Sequence, residues 1–217
     1  MRELFEDLGL DYYCEGNLSI DEAIEGAGLD SRALRSRIER LSAADAGPDW
    51  PDLPLSSLLD YLEGKDHEAV RMAMFRAALL FGEVCHAGGD RRLMTMRMIF
   101  RDFSSEVIVH MELEEHTLFP AILALEEAWI RGGEPPRKIE GGVRAAAARF
   151  MKEHAVIAAD LRTLRRQRLG TEANTAAAVE LFAQFEGLER ALHESMNLEN
   201  CVAFPRALAL EAAMRNH

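Results

Sequence analysis

Two stretches of this chain are near copies of one another, and they restrict the fold more than any other feature. The first, "HMELEEHTLFPAILALE", begins at His110; the second, "SMNLENCVAFPRALALE", begins at Ser195, 85 residues later. Met111 matches Met196, Leu113 matches Leu198, Glu114 matches Glu199, and Phe119 with Pro120 matches Phe204 with Pro205. A fainter echo precedes each stretch: "KDHEAV" carries His67 and "KEHAVI" carries His154, 87 residues apart. Self-similarity at a near-fixed separation implies a structure built from two like halves. Each half supplies one helix with a single histidine, followed by a helix whose marked position lies four residues before a glutamate. That position is His110 in the first half and Ser195 in the second.

From Leu55 onward the apolar spacing is helical almost throughout, with breaks at "AGGD" (87–90), "RGGEPPRK" (131–138) and "LGTEAN" (169–174). Four long amphipathic segments with short connections predict an all-α, antiparallel four-helix up-down bundle over 55–217. In such a bundle, side chains from all four helices converge on a central space. Ahead of it, residues 1–43 read as a small helical N-terminal domain. Ser19 and Glu22 make a capping-box pattern before "IDEAIEGAG", and Asp30 can cap "SRALRSRIERL". The aperiodic, Gly- and Pro-containing stretch between them reads as a linker over 44–54.

Residues i and i+4 share one helix face, so the apolar stripes show which face each marked residue occupies. On the second bundle helix the stripe runs Phe103, Val107, His110, Glu114 and Thr117; on the third, Phe150, His154, Ile157 and Leu161. On the fourth it runs Leu181, Phe185, Leu188, Leu192, Ser195, Glu199 and Val202. Buried ionisable groups are costly unless they are paired, protonated or bound to metal. A lone core histidine is ordinarily a hydrogen-bonded structural residue. Three histidines and two glutamates on inward faces of four helices are a different matter. Imidazole and carboxylate suit iron, manganese or zinc, and such sets are how bundles hold two metal ions. The candidate ligands are His67, His110, Glu114, His154 and Glu199.

Charge narrows the partners. A formal net charge of -12 repels phosphate backbones and anionic membranes, so neither nucleic acid nor a membrane is expected. The cluster Arg162, Arg165, Arg166 and Arg168 reads as cations favoured near a helix C-terminus. Cys14, Cys85 and Cys201 are odd in number and far apart, which suits a reducing compartment and a cytoplasmic location. No apolar run approaches the roughly 20 residues that cross a bilayer. The N-terminal "MRELFEDLGLDYY" lacks the apolar core of a signal peptide.

At "EEHTLFP", "ENCVAFPRAL" and "LGLDYYCEGNLSIDEA" the chain resembles hemerythrin-like, HHE cation-binding proteins. More narrowly, it resembles the di-iron proteins of iron-sulfur cluster repair, which carry a short ScdA-type domain before the bundle. The resemblance implies metal histidines at His67, His110 and His154 and bridging glutamates at Glu114 and Glu199. It implies two iron ions with carboxylate and oxo bridges, another divalent metal being the alternative. It also implies small-molecule partners (O2, NO or peroxide), iron-sulfur proteins as protein partners, and a role in nitrosative or oxidative stress. A homodimer is compatible with it.

Two departures touch the chemistry. The family's fourth histidine falls on Ser195, and its paired N-terminal cysteines are reduced to Cys14 beside Tyr13. His193 turned inward by a π-bulge, Glu63, a water or nothing at all are the alternatives for the missing ligand; a regular helix puts His193 on a solvated row with Glu186, Glu189 and Asn197. His86 and His116 read as surface or helix-end residues. Two other functions remain open: a gas- or redox-sensing module without turnover, and a metal-free helical interaction protein.

Overall fold

The computed structural model describes residues 50, 53–86, 91–134, 141–168 and 175–215. The expected N-terminal domain over 1–43 lies outside these residues, as do Cys14 and most of the linker over 44–54. The unit Pro54–His217 is built from helices alone, with no strand among the described residues.

Four rods make up this unit. Rod 1 joins α1 (Leu55–Tyr61) to α2 (Glu68–His86) through a π-helical turn, Leu62–His67. Rod 2 joins α3 (Arg91–Leu113) to α4 (Phe119–Ile130) through a second π-turn, Glu114–Leu118. Rod 3 is the uninterrupted α5 (Gly142–Arg168). Rod 4 joins α6 (Ala176–Leu198) to α7 (Phe204–Arg215) through a third π-turn, Glu199–Ala203. The rods thus end and restart around the sequence breaks.

Long-range contacts fix the antiparallel order. The start of rod 1 meets the end of rod 2, where Glu126 accepts hydrogen bonds from the Leu55 and Ser56 amides at 2.7 and 2.9 Å. The start of rod 3 meets the end of rod 4 in the same way. Glu211 accepts from the Val143 amide at 2.9 Å and the Arg144 amide at 3.3 Å. Each carboxylate satisfies helix N–H groups that have no partner in their own rod and meets the positive end of the helix dipole. Glu126 and Glu211 hold matching places in the two near copies. Gly142 allows the second cap: its φ is 77°, and a Cβ there would collide with the Glu211 carboxylate. At the opposite end of rods 3 and 4, Arg165 pairs with Glu189 and Arg168 with Glu186. Those arginines therefore serve a rod-to-rod contact.

The apolar stripes form a core on both sides of a single polar layer. On one side Phe81, Phe100 and Phe185 pack mutually with ring centroids 5.2 to 5.6 Å apart. On the other, Leu58, Leu118, Ile122, Phe150 and Phe204 are fully enclosed. Each such side chain stabilises the fold by about 1.5–3 kcal/mol relative to exposure. His67, His110, Glu114, His154 and Glu199 lie between these two blocks.

Two of the π-turns have a cause in the sequence. Pro120 and Pro205 have no N–H, and their rings crowd the carbonyl four residues back, which a regular helix cannot accommodate. Just ahead of each proline the rod widens. The Phe119 amide bonds Glu114 O and the Phe204 amide bonds Glu199 O, five residues back instead of four. The extra residue corrects two sequence expectations. Thr117, placed on the buried stripe by constant helical spacing, is exposed and Leu118 is buried instead; likewise Val202 is only half-buried while Ala203 is enclosed.

Candidate metal centre

All three histidines turn Nε2 inward. From His67 Nε2 the nearest carboxylate oxygens are Glu199 Oε1 at 3.1 Å and Glu114 Oε2 at 3.7 Å. His110 Nε2 lies 3.4 Å from Glu114 Oε2. His154 Nε2 lies 3.4 Å from Glu114 Oε1 and 3.1 Å from Glu199 Oε2. Each glutamate therefore offers one oxygen towards His67 and the other towards His154. Two groups of donor atoms result, His110–Glu114–His154 and His67–Glu114–Glu199, each within 4.8 Å, and Glu114 belongs to both. Ligand atoms about 2.0–2.2 Å from one ion are separated by about 3 Å, and the His67–Glu199 and His154–Glu199 contacts at 3.1 Å have a length that either a shared cation or a hydrogen bond can give.

The Nδ1 atoms face outward to fixed acceptors. His67 Nδ1 donates to Glu115 Oε1 at 2.7 Å, His110 Nδ1 to Glu153 Oε2 at 2.9 Å, and His154 Nδ1 to Asn200 Oδ1 at 2.9 Å. Arg71 Nη2 reaches both Glu115 oxygens at 2.7 Å and locks that acceptor. An Nδ1–H held from outside leaves the Nε2 lone pair pointing in, the arrangement typical of metal-binding histidines. Aromatic rings close the layer: Phe119 stacks on His67 at 5.7 Å, and Phe204 stacks on His154 at 6.0 Å. That pairing explains why phenylalanine precedes proline in both near copies.

Lone pairs facing carboxylates in a dry site call for positive charge. Glu114 is wholly enclosed, and neither of its oxygens has a hydrogen-bond partner among the described residues. Burial pushes its carboxyl up, and the nearby charge of Glu199 adds to the effect. Glu199 moves the other way. Burial opposes its ionisation, but hydrogen bonds and positive charge from His154 and His67 hold it well below the ordinary carboxylate range. Burial likewise opposes protonation of His67, yet its bonds to Glu115 and Glu199 raise it to about 10. His154 also rises to about 10, because Glu114 and Glu199 outweigh its burial. Protons can supply the missing charge, and so can a metal ion.

No protein-family model matches the chain. Individual proteins do, over nearly its full length. It is 25% identical over 207 residues to the iron-sulfur cluster repair protein ScdA of Staphylococcus haemolyticus, covering 93% of this chain and 90% of that protein. It is 26% identical over 218 residues to the iron-sulfur cluster repair protein YtfE of Pectobacterium carotovorum, covering 95% and 90%. The YtfE protein of Edwardsiella ictaluri is 27% identical over 218 residues, covering 94% and 90%. Over nearly its whole length the chain is similar to iron-sulfur cluster repair proteins.

What distinguishes it from a four-histidine site lies on rod 4. Ser195 is buried, and its hydroxyl donates to Glu199 Oε1 at 2.9 Å instead of facing the donor groups independently. His193, expected on a solvated row, is buried as well, but it belongs to neither donor group. The last turns of α6 press against α2 and the π-turn of rod 1, which encloses a wider arc than the apolar stripe alone. The helix stays regular through Leu198, so no π-bulge between His193 and Glu199 rotates that imidazole inward. Glu63 and His116 are exposed. His86, at the end of α2, is exposed and bonds its own rod at Gly82 O.

Sequence reasoning missed the outer acceptors Glu115, Glu153 and Asn200. A signal was present: an acid precedes each histidine of the weak echo, and a polar residue follows each marked glutamate. Among the described residues Cys85 and Cys201 are free thiols, and no helix is long and apolar enough to cross a membrane.

Proposed function

We propose that this protein binds two metal ions, iron first among them, in the polar layer of the bundle and acts in iron-sulfur cluster repair. Glu114 and Glu199 would bridge the ions, His110 and His154 would complete one half, and His67 the other. The repair role is supported by the names of the relatives and by their coverage of nearly the whole chain. The observation that carries the metal reading is Glu114, whose buried, unbonded oxygens face three imidazoles.

Bound iron would supply redox chemistry and a place for O2, NO or peroxide. The chain's own residues set the conditions. Glu115, Glu153 and Asn200 hold the tautomer that leaves Nε2 unprotonated for binding. Phe119, Phe150 and Phe204 exclude water around the imidazoles. Ser195 steadies one oxygen of Glu199. Iron-sulfur proteins are the proposed partners, the cytoplasm the proposed location, and residues 1–43 a proposed separate helical domain.

Metal analysis of protein produced with iron tests the reading. Two irons per chain in the wild type and loss of both in Glu114→Ala are expected; a metal-free wild type that tolerates His110→Ala unchanged would mark the bundle as a scaffold only.

A further inference from the structure

Between α2 and α3 lies a cavity of about 630 Å³ that shares no side chain with the metal centre. Its size is that of a small-molecule site. The enclosed rings of Phe81 and Phe100 form its floor, and the exposed side chains of Met94, Met98 and Ile108 form its rim. Along α3 the lining runs from Met94 to Ile108, about 21 Å of helix. The space is therefore elongated.

Its polar groups are not accounted for by the fold. Ser105 donates to the Arg101 carbonyl at 3.0 Å, the usual recourse of a helical serine. Ser104 makes no such bond: its hydroxyl is shut off from solvent and has no partner among the described residues. A buried orphan of this kind calls for a partner. Arg101 stands one turn back and Arg97 one turn further, both lining the same cavity, and no described carboxylate lines it. Arg101 bonds its neighbour Asp102 at 2.9 and 2.7 Å, but that pair is exposed and holds the guanidinium only weakly. On a chain with a net charge of -12, this is an acid-free patch with two cations.

We infer that the cavity between α2 and α3 is a binding site for a small amphipathic carboxylate, a linear alkyl chain ending in one acid group. The alkyl chain would lie over Phe81 and Phe100 beneath the two methionines, whose flexible thioethers adapt to a guest. The carboxylate would accept from Arg97, Arg101 and the Ser104 hydroxyl, and charge-assisted bonds of this kind fix the sign of the head group. Elongation of the cavity selects a chain over a compact ring. The site does not depend on the two-ion reading above.

The test is calorimetric titration of the full chain, below the micelle concentration, with decanoate and with decyltrimethylammonium, which carries the same alkyl chain and the opposite charge. One decanoate per chain should bind saturably, and the cation about tenfold more weakly. Arg97→Gln combined with Arg101→Gln should erase that preference. Ala78 is exposed and lines the cavity, so Ala78→Trp should block decanoate and keep the wild-type melting temperature. Ser104→Ala should bind decanoate about fivefold more weakly. It should not lower the melting temperature of the ligand-free protein, because the hydroxyl has no bond to lose. No saturable binding of decanoate, equal binding of anion and cation, or undiminished binding in Ala78→Trp each overturns the site.

Discussion

His154 Nδ1 donates to Asn200 Oδ1 at 2.9 Å in the same place in the repeat where His67 Nδ1 donates to Glu115 Oε1 at 2.7 Å. The acceptors are equivalent in position and differ by a full charge. A carboxylate behind an imidazole raises its basicity more than an amide does, and outer partners of this kind are worth about 10–100-fold in metal affinity. The single histidine of the His67 half thus has the stronger support, tightened further by Arg71. Glu115→Gln is expected to weaken one of two bound ions by that factor and leave the other nearly unchanged. Competition against a coloured chelator would resolve the two steps, and a uniform loss of both would contradict the assignment of halves.

Glu114 gives a prediction in which stability and binding move in opposite directions. Its enclosed, unbonded oxygens make the ionised side chain a cost to the fold when no cation faces it. Glu114→Gln removes that charge at nearly constant volume. The chelator-treated variant should melt above the chelator-treated wild type, by about 2–4 °C for each 1 kcal/mol relieved, and should bind neither ion. A lower melting temperature would mean that protonated His154 already compensates the Glu114 charge in the metal-free protein.

The chelator-treated protein should also show a definite pH profile. His67 and His154 rise from 6.5 to about 10, so their contribution to stability is complete below about 6.5 and disappears as pH climbs through about 10. Glu199, held below its ordinary value of 4.5, contributes above that value and loses its contribution as pH falls further. Glu114 has the reverse sign, since its raised carboxyl makes ionisation a cost. Melting temperatures should therefore decline from near neutrality towards about pH 10. Metal loading should flatten the curve, because bound ions displace the same protons. A profile rising over that range would refute the ion pairs.

Glu211→Ala addresses the scaffold alone. The side chain satisfies two amides at the start of a 27-residue helix, so its loss should cost about 0.5–2 kcal/mol. Metal stoichiometry should remain at the wild-type value. Denaturant unfolding combined with metal analysis checks both halves of the statement.

The bundle and the five inward residues were legible because apolar spacing and the 85-residue repeat both survive in the sequence. Each place where the reading fails has its own physical origin. A constant angle of about 100° per residue puts Thr117 and Val202 on the stripe, and the π-turns break that constancy. The row of His193 on α6 points to solvent, but neighbouring rods enclose more of that helix than its own apolar pattern indicates. Glu115, Glu153 and Asn200 sit at partly exposed positions beside the stripe. Their role depends on the direction of an imidazole's second nitrogen, which no spacing rule encodes.

The π-turns at Glu114–Leu118 and Glu199–Ala203 give rods 2 and 4 a surplus residue in the middle. Such a rod acts as two shafts on one axle whose rotational settings are independent. The upstream shaft aims His110 or Ser195 and the downstream shaft aims the cap, Glu126 or Glu211. Excising one residue from a π-turn would swing its cap about 100° away from the helix it holds. Exchanging the residue at 195, by contrast, leaves that remote alignment alone, so this fold can alter its chemistry without rebuilding its frame.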